Sequence, residues 1–224
     1  MKKIIRLFIL PLAALFLLVS CITFEENYLL KKDGSGSFEF KVDMSQIMSM
    51  MKMMEGMQQE GEGQQDPTEE INFKSEIEKL EKLDGISNVQ ANEDKEGGFF
   101  SLSFDFKDFE SLNNARHEAL DSTGAMEDVL VKKGNKVFFH HATPGDLAAQ
   151  GAGSEEDSLA NAMGAGMLSQ FQYKVNFTVE GGAKSVKTQA SNNYGTSDKK
   201  TFRLEGTVQD LMDNPELMNT EIEF

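Results

Sequence analysis

Three stretches of this chain alternate strictly between apolar and polar residues, and they limit its fold more than any other feature. Phe100, Leu102, Phe104 and Phe106 alternate with Ser101, Ser103 and Asp105. Phe171, Tyr173, Val175, Phe177 and Val179 alternate with Gln172, Lys174, Asn176 and Thr178. Phe38, Phe40 and Val42 alternate with Glu39 and Lys41. A side-chain period of two places every apolar residue of such a run on one face, so each run predicts a strand with one face buried and one wet. Antiparallel sheets packed on one side carry this pattern.

Turn signals join these runs into hairpins. Asp33-Gly34-Ser35-Gly36 separates a strand at Tyr28-Leu29-Leu30 from the Phe38 strand, and Asp-Gly supplies the positive φ that a tight hairpin needs. Glu93 to Gly98 separates a strand around Val89 from the Phe100 strand, and Lys133-Gly134-Asn135 separates Val129–Val131 from Val137–Phe139. Gly181-Gly182 closes the Phe171 strand ahead of another around Val186.

Between the hairpins the apolar spacing becomes helical. Met44 to Met57 is one such segment, with Asp43 or Ser45 as N-cap. Phe73, Ile77 and Leu80 mark a second, ending at Asp84-Gly85. Asp108 caps a third containing Phe109, Leu112, Ala119 and Leu120. Leu159, Met163 and Met167 mark a fourth, and Val208, Leu211 and Met212 a short last one before Pro215. One-sided strands with interspersed helices predict an α+β domain, a mainly antiparallel sheet built from hairpins with helices packed on one face. Residues 28–224 make a single such domain, with flexible loops at about 55–70, which is acidic and Gln/Gly-rich, and at about 145–157, which is Gly/Ala/Ser-rich.

The N-terminus reads differently. Lys2, Lys3 and Arg6 precede an apolar run from Leu7 to Val19, which falls short of the roughly 20 residues that cross a bilayer. A charged start, a short apolar core and small residues at its end make a secretory signal peptide over residues 1–20. Its last residues, Leu18-Val19-Ser20-Cys21, resemble the lipobox of bacterial lipoproteins. The resemblance implies that the Cys21 thiol takes a diacylglycerol, that cleavage precedes Cys21, and that residues 21–27 form the lipidated start and a short tether. Several acyl chains on one residue give stable anchoring, where one gives marginal binding. Cys21 is the only cysteine, so no disulfide forms within the chain, and lipidation accounts for a lone thiol in an exported protein. Ile22, in place of Asp, resembles an outer-membrane sorting signal, and Glu25-Glu26 part of a surface-export signal.

The first 20 residues hold three of the 22 Lys and Arg and none of the 37 Asp and Glu, which leaves 19 cations, 37 anions and a net charge near −18. Such a surface repels nucleic acid and anionic lipid heads. The partners expected are the membrane, through N-terminal acyl chains, and a lipid, an apolar ligand or another envelope protein. Nucleic acid is not among them.

Seven of the 13 methionines lie between Met44 and Met57. On a helix, Met44, Ile47, Met48, Met51 and Met54 fall within an arc of about 120°, and Met50, Met53 and Met57 within about 60° on the other side. Three readings stay open: both faces packed in the core, an adaptable apolar surface for lipid, ligand or partner, and Cu(I) binding by thioethers. Met50, Met53 and Met57 are the candidate contact residues.

Catalytic and metal motifs are sparse. There is no G-x-S-x-G elbow, no H-E-x-x-H and no calcium loop. Gly34-x-Gly36 sits in a hairpin turn and lacks the third glycine of a nucleotide fingerprint. His117, His140 and His141 are the only imidazoles, and adjacent strand residues such as His140 and His141 point to opposite faces. No catalytic residue, metal ligand or cofactor is expected, and the chain reads as non-enzymatic. The alternatives are a tethered envelope enzyme acting through two carboxylates, and Cu(I) handling.

Two segments together resemble the domain of LppM-type envelope lipoproteins: Asp33 to Phe40 followed by Met44 and a helix, and Phe177 to Val186 followed by Asn192-Asn193. Gly181 stands where that pattern usually has Pro, and no Trp follows. The resemblance implies an α+β domain with an apolar cavity near the membrane and lipid or glycolipid binding; it brings no catalytic residues.

Overall fold

The computed structural model describes residues 22–55, 73–120, 128–141, 169–188, 194–195 and 199–224. In chain order these form β1 (Ile22–Leu30), β2 (Gly36–Asp43), α1 (Ser45–Glu55), α2 (Lys74–Leu80), β3 (Ile86–Asp94), β4 (Phe99–Phe106), α3 (Phe109–Leu120), β5 (Leu130–Lys133) and β6 (Lys136–Phe139). The remainder are β7 (Phe171–Val179), β8 (Ser185–Thr188), β9 (Tyr194–Gly195), β10 (Thr201–Thr207), α4 (Val208–Asp213) and β11 (Thr220–Glu223). Seven strands make one sheet in the order β3-β4-β2-β1-β7-β10-β9, and four make a second in the order β5-β6-β11-β8.

The three expected hairpins form. In β1–β2, Tyr28 lies opposite Phe38 and Phe24 opposite Val42. Gly34 takes φ +100°, a conformation that glycine adopts readily because it lacks a Cβ, and the Asp33 carboxylate accepts from the Ser35 amide at 2.9 Å. β3–β4 and β5–β6 pair antiparallel as well. Among the described strands the one parallel pairing is β1 with β7, at the centre of the large sheet. A parallel pair needs a long crossover, and all of α1 to β6 lies between these two strands in the chain.

Period two decides which residues go inside. Tyr28, Phe38, Phe104, Tyr173, Val175, Phe177, Phe202 and Leu204 are buried on one face of the large sheet. The opposite face is polar, with a hydrogen-bonded row across it: Asn27 donates to Glu39 at 3.2 Å, Asn176 to Asn27 at 2.8 Å, and Arg203 to Asn176 at 2.7 Å. The buried face is covered by helices, as expected, and also by the small sheet, through Leu130, Val137, Phe139 and Ile222. That second sheet is an addition to the single sheet expected. β10 and β11 were not marked by the alternation because each contributes few inward apolar residues, Phe202 and Leu204 in one and Ile222 in the other.

One sequence expectation needs correction. The first strand starts at Ile22, not near Tyr28, so residues 22–27 are strand and not a tether. Glu26, on that strand, is 1% exposed. Residues 1–21, the core of both expected loops, the helix at Leu159–Met167, Asn192-Asn193 and Met57 lie outside the described residues. No described helix is long and apolar enough to cross a membrane.

Candidate functional site

Two features of the covered face stand out: the apolar end where β1 begins, and a charged cluster sealed in the core behind it.

α1 seats on the first of these. Its N-terminus is capped by Asp43, whose carboxylate accepts from the Ser45 amide at 2.9 Å. Met44, just before the helix, is 7% exposed and Met48 is 8% exposed. Met44 packs with Ile22, Val42, Phe100, Phe171 and Val208, with Ile47, Phe24, Phe40 and Phe73 at the margin. These inward residues line the end of the large sheet at which Ile22 and Phe171 lie side by side. The stripe read from the sequence is therefore the core face, as far as Met44, Ile47 and Met48 describe it. Met53, from the second stripe, is 65% exposed. Met50 lies in the same helix, and Met57 falls outside the described residues.

Gly98 holds α1 against the sheet. Its carbonyl accepts from the Met44 amide at 2.7 Å, its φ is +71°, and a Cβ there would stand 2.6 Å from Met48 Cγ. Gly98→Ala combines strain at positive φ with a clash on the helix. It is expected to loosen α1 selectively: limited proteolysis would cut within 45–55 first, while the Phe99–Phe106 strand keeps its protection. Uniform resistance equal to wild type would refute this.

The second feature centres on Glu26. It occupies the inward position between Phe24 and Tyr28 on β1, and is 1% exposed. Arg116 of α3, 2% exposed, donates from Nη1 to Glu26 Oε1 at 2.9 Å and to the Tyr28 hydroxyl at 2.9 Å. Tyr28 donates to Glu26 Oε2 at 2.6 Å, and Tyr173 of β7 donates to Oε1 at 2.7 Å. His141, just past β6, is buried, and its ring meets Tyr173 edge-on at 4.6 Å between centroids. The Arg116 guanidinium also lies 5.3 Å from the centre of the Phe38 ring. Four separate segments thus converge on one carboxylate.

The electrostatics follow from that packing. Burial alone would push Glu26 up, but Arg116, then His141 and the two tyrosine hydroxyls, outweigh it and hold the carboxyl below its ordinary range. Burial pushes both tyrosines well up, so they stay protonated donors. Burial also pushes His141 down to about 4; Glu26 opposes this and Arg116 adds to it. Neutral pH therefore leaves an ion pair, two phenols and a neutral imidazole. Arg116 Nε and both His141 ring nitrogens have no hydrogen-bond partner among the described residues.

The sequence placed His140 and His141 on opposite sides, and the structure does so: His140 is exposed. It overlooked Glu26, Arg116 and Tyr173 as a group. The available signal was a carboxylate at an inward position, since Ile22, Phe24, Glu26, Tyr28 and Leu30 share one face. Nothing local could link it to Arg116, 90 residues away. The cluster contains one carboxylate, where the enzyme alternative calls for two converging on a cleft. Among the described residues no group of three or more His, Cys, Asp or Glu is arranged to hold a metal ion.

No protein-family model matches this chain, and none of the curated proteins does. Among solved structures, the folded domain of the Mycobacterium tuberculosis LppM protein, determined by NMR, is a structural neighbour. It aligns with a TM-score of 0.41 and 10% identity over 92% of this chain and 91% of that one. A likeness at this level transfers no residue roles.

Proposed function

We propose that the chain is a bacterial envelope lipoprotein, anchored through acyl chains on Cys21, with a non-enzymatic binding or structural role. Its domain rests on the membrane by the α1 end, and the Met-rich helix contacts lipid, an apolar ligand or another envelope protein there. The outer membrane is the proposed location. The supporting observation is a juxtaposition. β1 begins at Ile22, the residue after Cys21, and the same apolar cluster that holds Ile22 also seats Met44, from which α1 leads to Met53, 65% exposed. No flexible spacer separates the first strand from residue 21, so acyl chains there would hold this end of the sheet at the bilayer. An unbranched thioether adapts to irregular apolar partners better than a branched side chain, and acyl chains on one residue make the attachment stable.

Two measurements test the reading. Cys21→Ala in the full chain, expressed in a bacterium, is expected to move the protein from the membrane to the soluble fraction. Persistence in the membrane would overturn the anchor. Separately, lipid mass spectrometry of the gently solubilised wild type should find co-purifying lipid, and Met50, Met53 and Met57 all changed to Gln should deplete it while thermal unfolding stays within a few degrees. Equal lipid in both proteins would remove the helix as the contact; unfolding of the variant would return the second stripe to the core.

A further inference from the structure

His141 joins the two sheets where, among the described residues, the core holds its buried ion pair. It follows β6, so its backbone belongs to the small sheet's side, and its amide donates to Asn219 Oδ1, just ahead of β11, at 3.1 Å. Its ring lies against the large sheet, edge-on to Tyr173 at 4.6 Å and beside Phe139 at 6.1 Å. Phe139 in turn meets Tyr28 at 5.6 Å and Phe177 at 5.0 Å. His141 and Phe139 together therefore peg the small sheet onto the large one.

The groups around that ring decide how it answers to a proton. From β1 it faces Glu26 and, beyond it, Tyr28; from α3, Arg116; from β7, Tyr173. Among the described residues Glu26 is the one anion in the cluster, and it already accepts from Arg116 and both phenols. A proton on His141 would place a second buried cation near Arg116, with no further anion among the described residues of the cluster to balance it. Its ring nitrogens have no partner among the described residues to take up the new donor. Buried charge without a partner is costly, and the ring lowers that cost by leaving the core.

We infer that His141 is an acid-sensitive latch between the two sheets, closed while its imidazole is neutral and released when the ring is protonated and withdraws into water.

The direction of the effect is fixed by the preference of the closed state for neutral imidazole. The closed ring titrates at about 4, whereas an imidazole in water titrates at roughly 6.5. The open state takes the proton first, so the latch is fully closed above pH 6.5 and loses stability as the pH falls toward 4. Between pH 7 and pH 5 this corresponds to a rise in the opening equilibrium of about 20-fold. Glu26 does not compete in that window, because its carboxyl is held below its ordinary range.

The test is hydrogen exchange on the full chain at pH 7 and pH 5, corrected for the intrinsic pH dependence of exchange. Amides of 136–141 and 220–223, in and beside the small sheet, are expected to lose protection by about 20-fold at pH 5, while β7 and the β1–β2 hairpin, paired with each other in the large sheet, keep theirs. His141→Phe fills the aromatic contact without a titrating group, and its protection should be the same at both pH values; His141→Gln serves if the Phe variant does not fold. The other two histidines are controls: His117→Gln and His140→Gln should respond as wild type does. Unchanged protection in wild type, or an equal loss in His141→Phe, would overturn the latch. So would an NMR titration placing the His141 midpoint at or above 6, a measurement that needs no variant.

Discussion

Arg116→Met is expected to lower the unfolding free energy by about 3–5 kcal/mol, the usual cost of removing one partner from a buried ion pair. Glu26 accepts from Arg116 and from two tyrosines, and nothing else in the cluster carries positive charge at neutral pH. Without Arg116 the carboxylate must either stay charged and uncompensated or take up a proton. The variant should therefore also gain stability as the pH falls toward 5, the reverse of what His141 produces. Changing Glu26→Leu in the same chain removes the stranded charge, and the double variant should recover most of the loss, since an apolar replacement of a whole buried pair is often neutral. Urea unfolding of the four proteins measures the cycle. A loss below about 1 kcal/mol for Arg116→Met would mean that water reaches Glu26 and that the pair behaves as a surface one.

Phe177→Ala should cost a comparable amount, about 3–5 kcal/mol, for a different reason. Phe177 is 1% exposed and touches rings on three sides: Tyr28 stacked at 5.2 Å, Phe202 stacked at 4.8 Å, and Phe139 edge-on at 5.0 Å. Two of these partners lie in the same sheet and one in the small sheet, so truncation leaves a void where the two sheets meet. The cost grows with the volume that the surroundings cannot close, and rings held by strands on both sides cannot move far. Phe24→Ala offers the comparison: Phe24 lies on the same strand face but is only half-buried, and it should lose roughly half as much in proportion to area. Equal losses at the two sites would show that the central ring stack is not the seam of the fold.

Strands with a clean alternation were legible because burial of one sheet face imposes period two on every residue of the run. β4 and β7 follow that rule without exception. β1 does not advertise itself as a strand, since Glu26 breaks its inward apolar row, and the same residue hid the polar cluster. A charge at an inward position reads as a surface residue until its partner is known, and Arg116 arrives from a helix 90 positions later. Helix α1 was readable from its spacing, but spacing alone could not say which methionine stripe meets the sheet. Gly98 settles this by leaving room for Met48 where a Cβ would not.

The amino-acid sequence by itself determined the strand-forming runs, the hairpin turns, the one-sided character of the sheet, and the apolar start that ends at a lone cysteine. All of these are local, set by periodicity, turn geometry and charge within a few residues. Only the tertiary structure decided that β1 and β7 lie side by side in parallel, that a second sheet closes the core, and that Glu26, Arg116, Tyr28, Tyr173 and His141 share one buried site. Those outcomes depend on contacts between segments far apart in the chain, where the gain from burying rings and pairing charges is shared among residues whose individual patterns carry no mark of one another.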